Sequence, residues 1–169
     1  MTTDYRPDFH ARMLKAYDVD EQAENLSHWD QRYTQISPGR FEGALTEAWI
    51  GKIQIFRETI NQVVRAEGQC WPDSRSFCFP LAMEGTGLFR GQVIGRNSLA
   101  SMAGGTQMDF RSSPYLDLCS ITFDASELQR MACDMAHLEL ASLLGNDAPV
   151  MAISAAAAGR LRLLMTAVV

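Results

Sequence analysis

Up to Phe123 the chain reads as short alternating runs of apolar and polar residues, and beyond it the apolar period lengthens. Arg40 to Ile50 alternates, with Phe41, Gly43, Leu45, Glu47 and Trp49 on one face, and Lys52 to Ile60 alternates again after Gly51. Ahead of them, Gln31 to Ile36 is a short extended segment and Ser37-Pro38-Gly39 is a turn. Proline presets φ at about −65° and glycine tolerates positive φ. Arg75 to Met83 sets Phe77, Phe79, Leu81 and Met83 on one face, and Pro80 within it marks an edge strand or a bulge. Glu84 to Gly87 and Gly104-Gly105 are turns. Leu88 to Gln92, Leu99 to Ala103 and Gln107 to Arg111 are short strands around them. Tyr115 to Phe123 is the strongest late strand, with Leu116 and Leu118 facing one way and Cys119, Ile121 and Phe123 the other. Short strands separated by Gly-rich turns predict a barrel or a sandwich.

Asp124 changes the period. Asp124-Ala125-Ser126-Glu127 has N-cap and N3 character, and Leu128, Met131, Ala132 and Met135 then recur at helical spacing. His137 to Asp147 is ambiguous and Val150 to Ile153 extended. Ser154 is a good N-cap for a helix from Ala155 to Val168, whose Leu161, Leu164, Met165 and Val168 form one stripe. At the other end, Met1 to Asp18 reads as an arm, with Phe9, Met13, Leu14 and Tyr17 on one face of a short helix. Asp20 to Leu26 reads as a second short helix, acidic where the helix dipole favours it. The fold class expected is α+β, mostly β. An arm and short helix occupy 1–30, a β domain 31–123 and a helical segment 124–169.

Composition narrows the function. A chain of 169 residues with 47% apolar and 21% charged residues is one ordinary domain with a real core. A formal charge of −5 argues against direct nucleic-acid binding. Cys70, Cys78, Cys119 and Cys133 show no C-x-x-C spacing and read as reduced structural thiols. The polar N-terminus lacks the apolar core of a signal peptide. The apolar C-terminal stretch, interrupted by Arg160 and Arg162, is too short to span a bilayer, so no membrane association is expected.

Catalytic patterns are missing. His10, His28 and His137 are unpaired in spacing, so no metal or other cofactor is expected. There is no G-x-S-x-G elbow, and Cys78 between Phe77 and Phe79 reads as a wall thiol. Asp109 and Asp117 read as solvated strand residues or as partners for arginines. What remains is a set of large strand aromatics with a few polar groups between them, the makeup of a small-molecule pocket. Trp49, Phe56, Phe77 and Phe79 are the candidate walls, and Glu47 and Arg57 the groups that would orient a ligand. The same aromatics would equally fill a core.

The stretch Gln31-Arg32-Tyr33-Thr34-Gln35-Ile36-Ser37-Pro38-Gly39-Arg40-Phe41-Glu42-Gly43 resembles the opening of the sensor domain in one branch of the AraC/XylS-type transcription regulators, which includes ethanolamine-operon regulators. Asp18-Val19-Asp20-Glu21 is similar to the family too, and the resemblance runs from about Asp18 to Val168. It implies a cupin-like β-barrel that binds a small organic effector, an arm that can cover it, a cytoplasmic location and a homodimer. The branch suggests ethanolamine or a related small amine. It also implies contact with DNA only through a downstream helix-turn-helix domain, before which this chain stops. The stripe Leu161, Leu164, Met165 and Val168 is the expected dimer seam, with Arg160 and Arg162 left in water; the alternative is that the stripe docks onto its own barrel. The alternatives are a cupin-like enzyme such as an isomerase, against which the missing histidine pair argues, and a scaffold with a filled interior.

Overall fold

The structure, a computed structural model, describes residues 9–136 and 148–168. The expected mostly-β α+β architecture forms, as two antiparallel sheets folded over one core. In chain order the elements are β1 (Phe9–Ala16), α1 (Val19–Glu24), β2 (Asp30–Gln35), β3 (Gly43–Ile50), β4 (Ile53–Ile60) and β5 (Val64–Gln69). There follow β6 (Ser74–Met83), β7 (Gly87–Phe89), β8 (Gln92–Ile94), β9 (Ser98–Ala103), β10 (Met108–Arg111) and β11 (Leu116–Asp124). The chain continues through α2 (Ala125–Ala136), β12 (Val150–Ala152) and α3 (Ala155–Thr166). The larger sheet runs β1-β3-β4-β11-β6-β9-β12 and the smaller β2-β5-β10-β7-β8. Their inner faces share a core in which Ile60, Leu116, Leu118 and Met102 of the larger sheet meet Tyr33, Val64, Phe89 and Met108 of the smaller.

Local chemistry explains most of the boundaries. Gly39 takes φ 124° in the predicted turn, a value that strains any other residue, and a side chain there would also meet Gln62. The turn is braced by Gln35 Nε2, which donates to the carbonyls of Ser37 and Gly39 at 2.7 and 2.8 Å. All three described helices have an acceptor at the N-terminus. Asp18 Oδ1 accepts from Glu21 N at 2.8 Å, Asp124 Oδ1 from Ser126 N and Glu127 N at 3.0 and 3.1 Å, and Ser154 Oγ from Ala157 N at 3.2 Å. The ambiguous stretch His137 to Asp147 lies outside the described residues.

Several expectations are corrected. Residues 9–16 form an edge strand paired with β3, not a helix. A spacing of four, as in Phe9 and Met13, falls on one face in either structure, and the open edge of β3 decides. The segment from Leu88 to Gln92 is a hairpin whose turn residues Arg90 and Gly91 both have positive φ (49° and 78°), as a two-residue primed turn requires. β5, with Val64 and Ala66 its only buried apolar residues, forms because β2 and β10 pair with it on both sides. In β6 the register slips by one opposite β11: Leu118 faces Pro80, but Asp117 faces Ala82. Proline has no N–H for the ladder, so the bulge sits where it is least costly. The extra residue reverses the parity. Leu81 stays on the outer face with Phe79, whereas Met83 turns into the inner core.

α3 docks half of the expected seam onto its own subunit. Met165, 2% exposed, and Leu161 pack onto Ile55, Phe79, Leu81 and Cys119 of the outer face of the larger sheet. Leu164 and Val168 remain exposed. Arg162 is not left in water: it donates to the carbonyls of Pro80 and Arg96 and to Asn97 Oδ1, holding the helix down. Met165→Ala is therefore expected to cost about 2–5 kcal/mol in urea unfolding, as for a core truncation. Leu164→Ala should change stability by less than about 0.5 kcal/mol. Equal losses in the two would contradict this docking.

Candidate functional site

The sheets enclose a cavity of about 40 Å³. Phe56 of β4, Phe89 of β7, Phe110 of β10, Met102 of β9 and Met108 supply apolar wall, and Trp29, in the loop after α1, also lines it. The polar groups on the wall differ in their state. The Ser76 and Ser120 hydroxyls bond each other at 3.1 Å, Ser76 also accepts from Thr122 behind the wall at 3.0 Å, and Ser120 also reaches the Phe77 carbonyl. Glu58 of β4 is different. It is 6% exposed, accepts from Gln22 Nε2 at 2.8 Å and from the Tyr33 hydroxyl at 2.9 and 3.1 Å, and no cation among the described residues pairs with it. Burial pushes its carboxyl above the ordinary range, and the bonds from Gln22 and Tyr33 offset this only in part. Burial and the neighbouring Glu58 likewise hold the Tyr33 hydroxyl well above its ordinary value. Gln22 Oε1, also buried, accepts no hydrogen bond among the described residues.

A second buried carboxylate adjoins this wall. Glu47 of β3, 2% exposed, accepts from Arg12 Nε at 2.5 Å, Ser27 Oγ at 2.5 Å, Ser27 N at 3.3 Å and Gln54 Nε2 at 2.6 Å. Burial pushes its carboxyl up, but the bonds from Ser27, Gln54 and Arg12, with the Arg12 charge, outweigh this and lower it. Gln54 Oε1 in turn accepts from Trp29 Nε1 at 3.0 Å, and Trp29 stands edge-on to Phe56. Edge strand β1 is thus wired to the cavity wall through Arg12, Glu47, Gln54 and Trp29. Outside this chain of bonds, Arg12, Glu47, Trp49 and His28 border an open groove of about 450 Å³, where Trp49 Nε1 donates to Ser27 Oγ at 3.2 Å.

Of the six residues predicted to bind an effector, Phe56 alone lines the cavity. Glu47 and Trp49 share its inward parity but border the groove. Phe77, Phe79 and Arg57 lie on the opposite face, because alternation aims Ser76 and Cys78 inward. Phe79 packs under α3, Phe77 stands against Phe123, and Arg57 holds Asp117 with two bonds of 2.8 and 2.7 Å. Asp109 similarly holds Arg65, so both aspartates are arginine partners. Glu58, Tyr33, Gln22 and Trp29 were missed. The readable signal was parity: Glu58 is in phase with Phe56 and Ile60.

The described residues supply no set of metal ligands at the cavity. Among the described residues, Glu58 is the sole carboxylate on the cavity wall, no histidine lines it, and no three His, Cys, Asp or Glu side chains converge. The four cysteines are free, and burial pushes the Cys78 thiol up to about 12. No described helix is long and apolar enough to cross a membrane.

No family model matches the sequence. The fold is similar to that of the AraC-like transcriptional activator CuxR, with a TM-score of 0.59 and 14% identity over 93% of this chain and 60% of that one. Weaker matches include the protein Ylba from E. coli (TM-score 0.37, 10% identity, 71% of this chain and 47% of that one). Another is an oxalate decarboxylase variant from Bacillus subtilis (0.35, 8%, 83% and 42%). The likeness to the activator is one of fold, and this chain spans about three-fifths of the activator's length.

Proposed function

We propose that the chain is the effector-sensing barrel of an AraC-like transcription regulator. In this reading a small organic molecule with a hydrogen-bond-donating end binds in the inner cavity against Glu58. Its occupancy is relayed to a DNA-binding domain outside these residues. The reading assigns the chain no reaction of its own and no cofactor. The observation that carries it is Glu58, a buried carboxyl with no cation partner among the described residues, held at a set orientation by Tyr33 and Gln22 in a mostly apolar wall. Burying such a group costs stability, and an apolar pocket with a few oriented polar groups is how small molecules are recognised. The fold shared with the activator supports the regulatory context.

The cavity has room for only a few waters, since each needs roughly 10–15 Å³. Binding must therefore open it, and Met102 and Met108, unbranched and adaptable, are the wall residues suited to move. An effector that prefers the opened arrangement shifts the population by its differential affinity.

A thermal-shift screen of small organic molecules tests this. A ligand is expected to raise the melting temperature of the wild type, to lose most of that effect in Glu58→Gln, and to keep it in Trp49→Ala, each measured against its own baseline. The reverse pattern would move the site to the groove.

A further inference from the structure

β1 ends the larger sheet with one side open. It pairs with β3 along residues 9 to 16, and the backbone groups on its far side meet no described strand. Proteins usually blunt such an edge with proline, a bulge or a very short strand. β1 has no proline, its register with β3 is unbroken, and it is eight residues long. It also carries apolar residues in the open: Phe9 is 65% exposed and Met13 74%, and Tyr17, just past the strand, is exposed too. Phe9 and Met13 share the outer face, because the even-numbered Arg12 and Ala16 turn inward, to Glu47 and the core.

The spacing of these residues is symmetric. Phe9 and Tyr17 stand four positions before and after Met13. A two-fold interface must be self-complementary, with each residue i meeting j as j meets i. Antiparallel strands related by a two-fold axis keep like faces together, so the axis passes through a residue rather than between two. Centring it on Arg12 sets two guanidinium groups opposite each other. Centring it on Ala11 sets His10 against Arg12, and centring it on Leu14 sets Met13 against Lys15 and leaves Phe9 to face Val19 of α1, beyond the strand. Centring it on Met13 sets Met13 against its own copy, Phe9 against Tyr17, Ala11 against Lys15, Arg12 against Leu14 and His10 against Ala16. No two cations are then directly opposed, and the charge of Arg12 is already taken by Glu47.

We propose that β1 is a docking edge for a second copy of this chain, joined antiparallel about a two-fold axis through Met13, so that two of the larger sheets continue into one. The cross-strand aromatic and methionine pairs supply side-chain contact, and the open backbone groups of β1 are satisfied. The proposal does not depend on what the inner cavity binds.

The position of the axis makes the test specific. Met13 is exposed, so charging it leaves the subunit fold intact, which circular dichroism checks. Sedimentation of the wild type should show a dimer. Met13→Glu and Met13→Lys, each alone, place like charges face to face, and the dimer dissociation constant should rise at least about tenfold in both. Mixing the two variants sets Glu against Lys across the axis and should restore a heterodimer. A monomeric wild type overturns the proposal, as does a dimer indifferent to both substitutions. A dimer abolished instead by Leu164→Asp places the second copy on α3 and also overturns it. Two weakened variants that do not rescue each other overturn the register.

Discussion

Replacing Glu58 by glutamine is expected to stabilise the protein at pH 8, by on the order of 2 kcal/mol. The sign follows from linkage. Burial raises the Glu58 carboxyl in the fold above its ordinary value of 4.5, so the unfolded chain releases this proton first. Stability is therefore full below pH 4.5 and falls as the pH rises until the carboxyl ionises within the fold. Glutamine keeps an acceptor for the Tyr33 hydroxyl, cannot ionise, and brings an N–H donor beside Gln22, whose Oε1 lacks a partner among the described residues. Urea unfolding of both proteins at pH 5 and pH 8 is the measurement. The gap between them should widen with pH, and parallel curves would show that Glu58 bears no ionisation cost. The groups held low work in the other window. Glu47, Asp109 and Asp124, the last at about 2, contribute stability above their ordinary values that is lost as the pH falls through the folded ones. Acid sensitivity and the Glu58 decline thus lie on opposite sides of pH 4.5.

Glu47→Ala should have the larger effect, a loss of about 3–5 kcal/mol near pH 7. The substitution leaves Ser27, Gln54 and the Arg12 guanidinium without their shared acceptor, and Gln54 and Glu47 are both buried. Arg12→Ala removes the bonds to Glu47 and to the Asn25 carbonyl from a side chain that is 44% exposed, so its cost should stay near 1 kcal/mol. For a chain of this size the first loss lowers the melting temperature by about 2–4 °C per kcal/mol. Glu47→Ala should also lose part of the acid-side slope, because the lowered carboxyl is gone. A variant as stable as the wild type would mean that this node is not closed in solution.

The candidate site was less legible than the fold, for reasons that particular residues show. Alternation places Glu47, Trp49, Phe56 and Glu58 in phase along a hairpin, but a period of two cannot say which phase is inward or how far along the barrel each residue lies. Large aromatics were therefore read as walls on both phases, and Phe77 and Phe79 fell on the wrong one. Charge was read as a sign of water or ligand at Arg57, which its partner Asp117 neutralises, while Glu58 went unread because nothing local announces a buried acid.

What this chain determines by itself is local. Glycine and proline place the Ser37-Pro38-Gly39 turn and the break at Pro80, side-chain oxygens at Asp18, Asp124 and Ser154 start the helices, and alternation marks the longer strands. These depend on backbone sterics and on hydrogen bonds reaching only a few residues. The tertiary structure decided the rest. It made a strand of residues 9 to 16 by offering the edge of β3, and it drew Leu161 and Met165 of the last helix onto the outer sheet. It also set Glu58 beside Tyr33 and Gln22. Each of these joins residues distant in sequence, and burial across such distances is a property of the assembled sheets that no local pattern encodes.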